Sequence, residues 1–229
     1  MIEGLQHILY PEVCVACRAL LRNGEALVCA SCLAEFSPYP GPDAGGEALR
    51  RAMLEHFGPE ALPDGSWCLY PYRGAGPLHD TMHALKYEGL FPVGRLFGRK
   101  LGALIAASGE ARFDAIVPVP LHRLKRVERS YNQAEQIAEG VSEVLGTPVM
   151  ARTLIRKRYT GSQTGLTSRA RRKNVEGAFG RGRQPCPPRV LVVDDVVTTG
   201  ATMAAAAAAL RDSGAASLSF AAVALTEKT

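Results

Sequence analysis

Thirteen residues, Val190-Leu-Val-Val-Asp194-Asp195-Val-Val-Thr198-Thr199-Gly200-Ala201-Thr202, restrict the folds open to this chain more than any other stretch. An apolar run (190–193) halts at two adjacent carboxylates, a Thr-Thr-Gly loop follows, and an alanine-rich segment begins. A β-branched run bounded in this way reads as a buried parallel strand that feeds a helix through a tight turn. The first N–H groups of such a helix lack intrahelical partners and carry partial positive charge, which suits a phosphate. Thr198, Thr199 and Thr202 add hydroxyls, and Gly200 lets the backbone approach an anion without a Cβ. Asp194 and Asp195 would repel that phosphate; they suit vicinal hydroxyls, alone or with a hydrated Mg²⁺. A ribose with a 5′-phosphate carries all of these groups.

The segment resembles the phosphoribosyl-pyrophosphate (PRPP) signature of type I phosphoribosyltransferases. That resemblance implies that Asp194 and Asp195 hold the ribose 2′- and 3′-hydroxyls as the catalytic carboxylates. It implies that Val197, Thr198, Thr199, Gly200, Ala201 and Thr202 enclose the sugar and its 5′-phosphate. The plainer alternative is an ordinary βα junction whose strand happens to end in acids.

A chain of 229 residues suits one large or two small domains with a real core. There is no long apolar run and no charged-then-apolar N-terminus, so a cytoplasmic protein without membrane insertion is expected. The net charge of +5 conceals an asymmetry. Residues 121–189 hold 15 Lys/Arg against 5 Asp/Glu, whereas the rest holds 12 against 17. Concentrated positive charge argues for a polyanionic partner, either nucleic acid or a pyrophosphate ligand; the plainer alternative, a solvated basic face, fits the composition equally.

Cys14-x-x-Cys17 and Cys29-x-x-Cys32 form two knuckles whose spacing can close a tetrahedral thiolate site around Zn²⁺. The surrounding segment has too few apolar residues to fold alone, and a metal would supply the missing free energy. Disulfides are disfavoured without a secretion signal, and a redox CxxC usually stands singly. Four thiolates leave no open position, so the zinc would be structural. His79 and His83, four apart on an expected helix, lack a third ligand and suit packing or surface roles.

Along the chain, residues 37–46 read as a Pro/Gly-rich linker. Helices are expected over 47–57, 78–86, 91–107, 132–145 and 202–213, and strands over 67–72, 115–119, 149–155, 177–179, 189–193 and 218–225. This alternation predicts an α/β fold with a doubly wound, mostly parallel sheet, behind a small N-terminal zinc module. The expected division is 1–45 for module and linker and 46–229 for the main domain, with an extension over 46–112 and the core sheet over 113–229. Ligands of such sheets sit at the carboxyl ends of the strands, where the two acids fall.

Two further loops belong to that rim. Val117-Pro-Val-Pro-Leu-His122 leads through Arg123, Lys125, Arg126 and Arg129 into Ser130-Tyr131-Asn132-Gln133 and a helix. By analogy with type I phosphoribosyltransferases, Arg129, Ser130, Tyr131, Asn132 and Gln133 would hold pyrophosphate; otherwise this is a basic loop capped by Asn132. The long stretch 159–179 includes Gln163, Arg171 and Asn174. It reads as a flexible loop able to close over a reacting sugar, or as a basic connector.

The four-cysteine module, LKYEG (85–89), PVP followed by R-S-YNQAEQIA, QTGL…NVEGAF and VDDVVTTGAT together resemble the ComF family of competence-associated, phosphoribosyltransferase-like proteins. The resemblance spans nearly the whole chain. One departure is Ser130, where the family pattern has Gly. Membership implies a role in DNA uptake and transformation beside a competence helicase. It leaves open an enzyme that uses PRPP and Mg²⁺ for pentosyl transfer, a single-stranded-DNA-binding or helicase-partner factor, and a regulator that senses PRPP. Aromatics interleaved with the basic residues are few (Tyr131, Tyr159), so little base stacking is expected.

Overall fold

The computed structural model describes residues 12–109, 112–122, 130–158 and 177–226. The strands β1 (Ser66–Tyr72), β2 (Ala115–Pro118), β5 (Arg189–Val197) and β6 (Ser217–Thr226) form one sheet in the order β1-β6-β5-β2, and every pairing is parallel. A separate antiparallel pair joins β3 (Leu154–Arg156) to β4 (Phe179–Arg181). The helices are α1 (Ala30–Glu35), α2 (Ala44–Phe57), α3 (Pro77–Tyr87), α4 (Phe91–Ala107), α5 (Gln133–Leu145) and α6 (Ala201–Arg211).

Local chemistry explains the helices that matter for the site. Asn132 caps α5 by accepting the Ala134 N–H at 3.2 Å, and Gly146 ends that helix at φ 67°. Val93, Phe97, Leu101 and Ile105 form the fully buried stripe of α4. The alanines of α6 let Ala206 and Ala207 lie buried against the sheet.

Helices cover both faces. Leu191, Val193 and Ile116 pack with Phe97, Leu101, Ile137 and Val141 from α4 and α5 on one face. Val190, Val192 and Val117 pack with Leu49, Met53, Met203 and Leu210 from α2 and α6 on the other. The helix after β2 therefore lies on one face and the helix after the neighbouring β5 on the opposite face. That divergence opens a crevice at the carboxyl ends of the two strands, where open α/β sheets bind ligands. On the first face α4 and α5 meet backbone to backbone: a Cβ on Gly98 would fall 2.1 Å from the Ile137 carbonyl oxygen, and one on Gly140 2.4 Å from that of Arg95.

Residues of the cysteine segment join the first core. Cys14, Val15, Leu21, Val28 and Phe36 are buried in it, and the Phe36 ring meets Tyr70 edge-on at 5.5 Å. Arg18 clamps Glu88 with two contacts of 2.8 Å.

Three boundaries differ from the sequence expectation. β5 does not stop at Val193 but continues through both acids to Val197, because β6 pairs with it that far. The expected strand over 149–155 is broken: Val149 makes a lone parallel bridge to Ile116, and a turn closed by the Thr153 N–H on the Met150 carbonyl precedes β3. The presumed linker over 37–46 already contains the first turn of α2. Gly45 and Gly46 serve close packing there, since a Cβ on either would meet the Cys68 or Ser66 carbonyl at about 2 Å.

Candidate functional site

The acids stand where β2 has ended and β5 goes on. The last β2 register pair is Pro118 with Val193, so Asp194 and Asp195 extend past the β2 edge into the crevice. Each carboxylate accepts the N–H of the next residue: Asp194 Oδ1 from Asp195 at 2.9 Å, and Asp195 Oδ1 from Val196 at 2.6 Å. The alternation of faces slips by one residue here. Leu191 and Val193 belong to the first core, then Val196 packs against that core and Val197 against the second. The slip marks a local departure from the regular pleat, confined to the stretch that holds the acids.

Cations flank the pair. Lys86 Nζ, on the last turn of α3, lies 3.1 Å from Asp195 Oδ2, with both side chains largely buried. Arg156, at the end of β3, rests over the Phe179 ring at 5.3 Å and acts electrostatically on Asp194. Burial, and then the charge of Asp195, push the Asp194 carboxyl up to about 7, against the opposing pull of the Asp195 N–H, Lys86 and Arg156. Burial also lowers the Arg156 guanidinium from its ordinary value, the mark of a partly desolvated cation.

Beyond the strand, Thr198 is exposed, Thr202 half-buried, and Val197, Thr199, Gly200 and Ala201 are buried. Thr199 is 5% exposed, and its Oγ1 has no hydrogen-bond partner among the described residues. A buried orphan hydroxyl costs free energy unless a ligand or water satisfies it. It sits immediately before α6, whose first N–H groups face the same way as any helix start toward an anion. Gly200 departs from its expected part. At φ 80° it takes the left-handed conformation, and its missing Cβ makes room for Met53, whose Cγ would lie 2.9 Å away.

On the neighbouring loop the structure turns three expected pyrophosphate contacts inward. Tyr131, Asn132 and Gln133 are buried at 7%, 3% and 1% exposure. The Tyr131 hydroxyl donates to the Leu85 carbonyl, and Asn132 Nδ2 donates to the Val119 carbonyl at 3.0 Å. Any contact from Tyr131 or Asn132 to an anion would therefore come chiefly from backbone N–H groups. Ser130 has φ 64°, a conformation that glycine adopts at no cost. Arg129, with Arg123, Lys125 and Arg126, and the loop residues Gln163, Arg171 and Asn174 lie outside the described residues.

Next to this loop lies a cavity of about 750 Å³, which Leu121, His122, Arg152, Arg156, Lys157 and Arg183 help to line. Arg152, Arg156, Lys157 and Arg183 give its lining four basic residues against one acid, Glu135. The basic surplus seen between residues 121 and 189 is thus partly gathered into one concavity. Neither Lys86 nor Arg156 stood out in the sequence as a site residue. The LKYEG segment was the one signal for Lys86, and Arg156 carried none.

The second cluster consists of four cysteines. The sulfurs of Cys14, Cys17, Cys29 and Cys32 all lie within 4.8 Å of one another, and those of Cys17 and Cys29 are 3.8 Å apart. Sulfurs around a tetrahedral ion with 2.3 Å bonds stand about 3.8 Å apart, so the group fits a metal such as zinc. The Cys29 N–H points at the Cys14 sulfur at 3.3 Å, and Arg18 and Leu27 take positive φ in the turns. No disulfide joins these cysteines. Among the described residues, His79 and His83 join no metal-ligating cluster, and no helix is long and apolar enough to cross a membrane.

The architecture is an α/β fold: a parallel sheet with helices on both faces and a crevice at paired acids beside the start of α6. The family described as Phosphoribosyl transferase domain matches residues 131–228. Competence protein F of Haemophilus influenzae is 28% identical over 199 residues, covering 83% of this chain and 86% of the relative. DNA utilization protein YhgH of Escherichia coli K12 is 32% identical over 149 residues, 63% of this chain and 65% of the relative. Competence protein ComFC of Streptococcus pneumoniae is 24% identical over 206 residues, 86% of each. The chain is thus similar along most of its length to competence and DNA-utilization proteins, and over its C-terminal part to the phosphoribosyl transferase domain family.

Two outcomes follow from the geometry of the acids and their neighbouring loop. Asp194 has its folded-state pKa raised, so its ionisation opposes folding: stability is full below about pH 4 and falls as pH rises through about 7. Asp194→Asn should flatten that fall and raise the stability of the ligand-free protein at pH 8 by about 1–2 kcal/mol, after allowance for solvent screening. Urea melts of both proteins at pH 5 and pH 8 measure it. Ser130→Gly should add about 1 kcal/mol by removing a side chain from the left-handed region, read as a higher denaturation midpoint.

Proposed function

We propose that the crevice binds PRPP, or a related ribose 5-phosphate, together with Mg²⁺, and that the protein uses this ligand in pentosyl transfer connected with DNA uptake. The observation that carries the reading is the orphan Thr199 hydroxyl, buried at the start of α6 and five residues beyond the first of two paired carboxylates. In this reading Asp194 and Asp195 accept hydrogen bonds from the 2′- and 3′-hydroxyls. Thr198, Thr199 and Thr202 and the N–H groups of 199–202 hold the 5′-phosphate. Pyrophosphate would lie toward residues 130–133 and the cations of the cavity. There Arg156 and Lys157 would stabilise the charge that develops as the bond from ribose C1 to the pyrophosphate oxygen breaks and a nitrogen acceptor bonds to C1.

Mg²⁺ fits as a passenger on the ligand, where it would neutralise pyrophosphate charge, because both carboxylates are already engaged by N–H groups and by Lys86. The metal of the four-cysteine cluster is read as zinc, on its all-thiolate donors and tetrahedral spacing, with a structural role. The competence and DNA-utilization names of the relatives support a part in handling incoming DNA. A second reading, non-catalytic binding of single-stranded DNA with the pocket used for sensing, draws on the cationic cavity and predicts strong salt dependence.

Calorimetry with PRPP and Mg²⁺ should give one site per chain, and Asp194→Asn should weaken it at least tenfold while metal content stays unchanged. No heat of binding from metal-loaded protein would remove the proposal. Elemental analysis should find one zinc per chain. Stripping it with a chelator should lower the melting temperature by roughly 10 °C, since the cysteines are embedded in the first core.

A further inference from the structure

The sequence offered no site for a base, but the structure arranges four rings in a row beside the acids. Tyr72, the last residue of β1, faces His79 with ring centroids 6.1 Å apart. His79 and His83 lie 6.3 Å apart and within 29° of parallel, and His83 and Tyr87 are 4.7 Å apart. His79, His83 and Tyr87 are spaced i, i+4, i+8, so they follow one side of α3 for about 12 Å. The opposite side of that helix is committed to the core through Leu78, Met82 and Leu85. Both ends of the row are held. Lys86 ties the last turn to Asp195, the Leu85 carbonyl takes the Tyr131 hydroxyl, and the Tyr72 phenol lies in the field of Lys86 and Asp195.

The outer rings are open to water, and Tyr87 is 61% exposed. Among the described residues, His83 and Tyr87 are exposed on this side of α3, while Tyr72 and His79 are half-buried. Rings in sequence present π-faces of the kind on which nucleobases stack. The neighbouring charges argue for one base rather than a long polyanion. Asp80 accompanies His79, and Glu88, which is held by Arg18, follows Tyr87.

We infer that the side of α3 bearing His79, His83 and Tyr87, together with Tyr72, is a stacking subsite for the heteroaromatic base joined to, or destined for, the ribose held at Asp194 and Asp195. The inference deepens the proposed function by naming the acceptor class as a purine or pyrimidine. It rests on that reading for the position of the sugar. The base could belong to a free nucleotide or to the terminal unit of a DNA strand; the chemistry of recognition is the same.

Calorimetry on the metal-loaded full chain should compare ribose 5-phosphate, AMP, GMP and a short 5′-phosphorylated oligothymidylate. AMP or GMP should bind about tenfold to a hundredfold tighter than ribose 5-phosphate. The double variant His83→Ala/Tyr87→Ala alters only solvent-facing rings. It should erase that preference and leave ribose 5-phosphate affinity unchanged. Equal affinity for AMP and ribose 5-phosphate, or a preference that survives the variant, overturns the stacking subsite while the pentose clasp stands. Ring-dependent binding of AMP with no binding of ribose 5-phosphate supports the subsite and removes the clasp. Failure of every ligand to bind removes both. Ring-dependent binding of the oligonucleotide with none of AMP assigns the base to a strand.

Discussion

β5 is paired on both sides only as far as Val193. From Asp194 onward its hydrogen bonds run to β6 alone, and the edge that β2 covered lies open. The difference in strand length places two carboxylates, a helix start and the loop before α5 around one crevice. It also explains why the acids are tolerated. A strand end deep in a parallel sheet is apolar on both faces, and a carboxylate there would be desolvated at several kcal/mol without compensation. Here the N–H groups of residues 195 and 196, Lys86 and Arg156 offset that cost, and Asp194 still holds its proton more tightly than an ordinary aspartate.

How much of this was legible in the sequence depended on how local its cause was. The helix over 91–107 and the cap at Asn132 followed from a 3.6-residue apolar period and from Asx chemistry within one turn. The strand after Arg189 was equally plain, but its end was not. Asp194 and Asp195 read locally as a stop, whereas pairing with β6, which closes a long stretch of sequence, carries the strand on to Val197. Val149 to Ile155 failed for a related reason: the apolar run is genuine, but a buried turn at Thr153 splits it between two sheets.

The site divides along the same line. The paired acids, the threonine loop and the four cysteines lie close together in sequence, so spacing revealed them. Lys86 and Arg156 reach the acids from α3 and β3 across about a hundred and about forty residues, and no local pattern records such a meeting. The ring row needed structure as well. His79, His83 and Tyr87 share a helical spacing, but Tyr72 and the covered opposite side appear only once α3 is docked.

At Gly98 and Gly140 α4 and α5 touch through their main chains. Two helices joined so closely, and jointly seated on the sheet, form an inelastic block. Across the crevice α3 is seated on the first core through Leu78, Met82 and Leu85, and an ion pair, a phenol–carbonyl bond and the Arg18–Glu88 clamp fix its far side, so a guest molecule meets side-chain packing there and main chain on the floor.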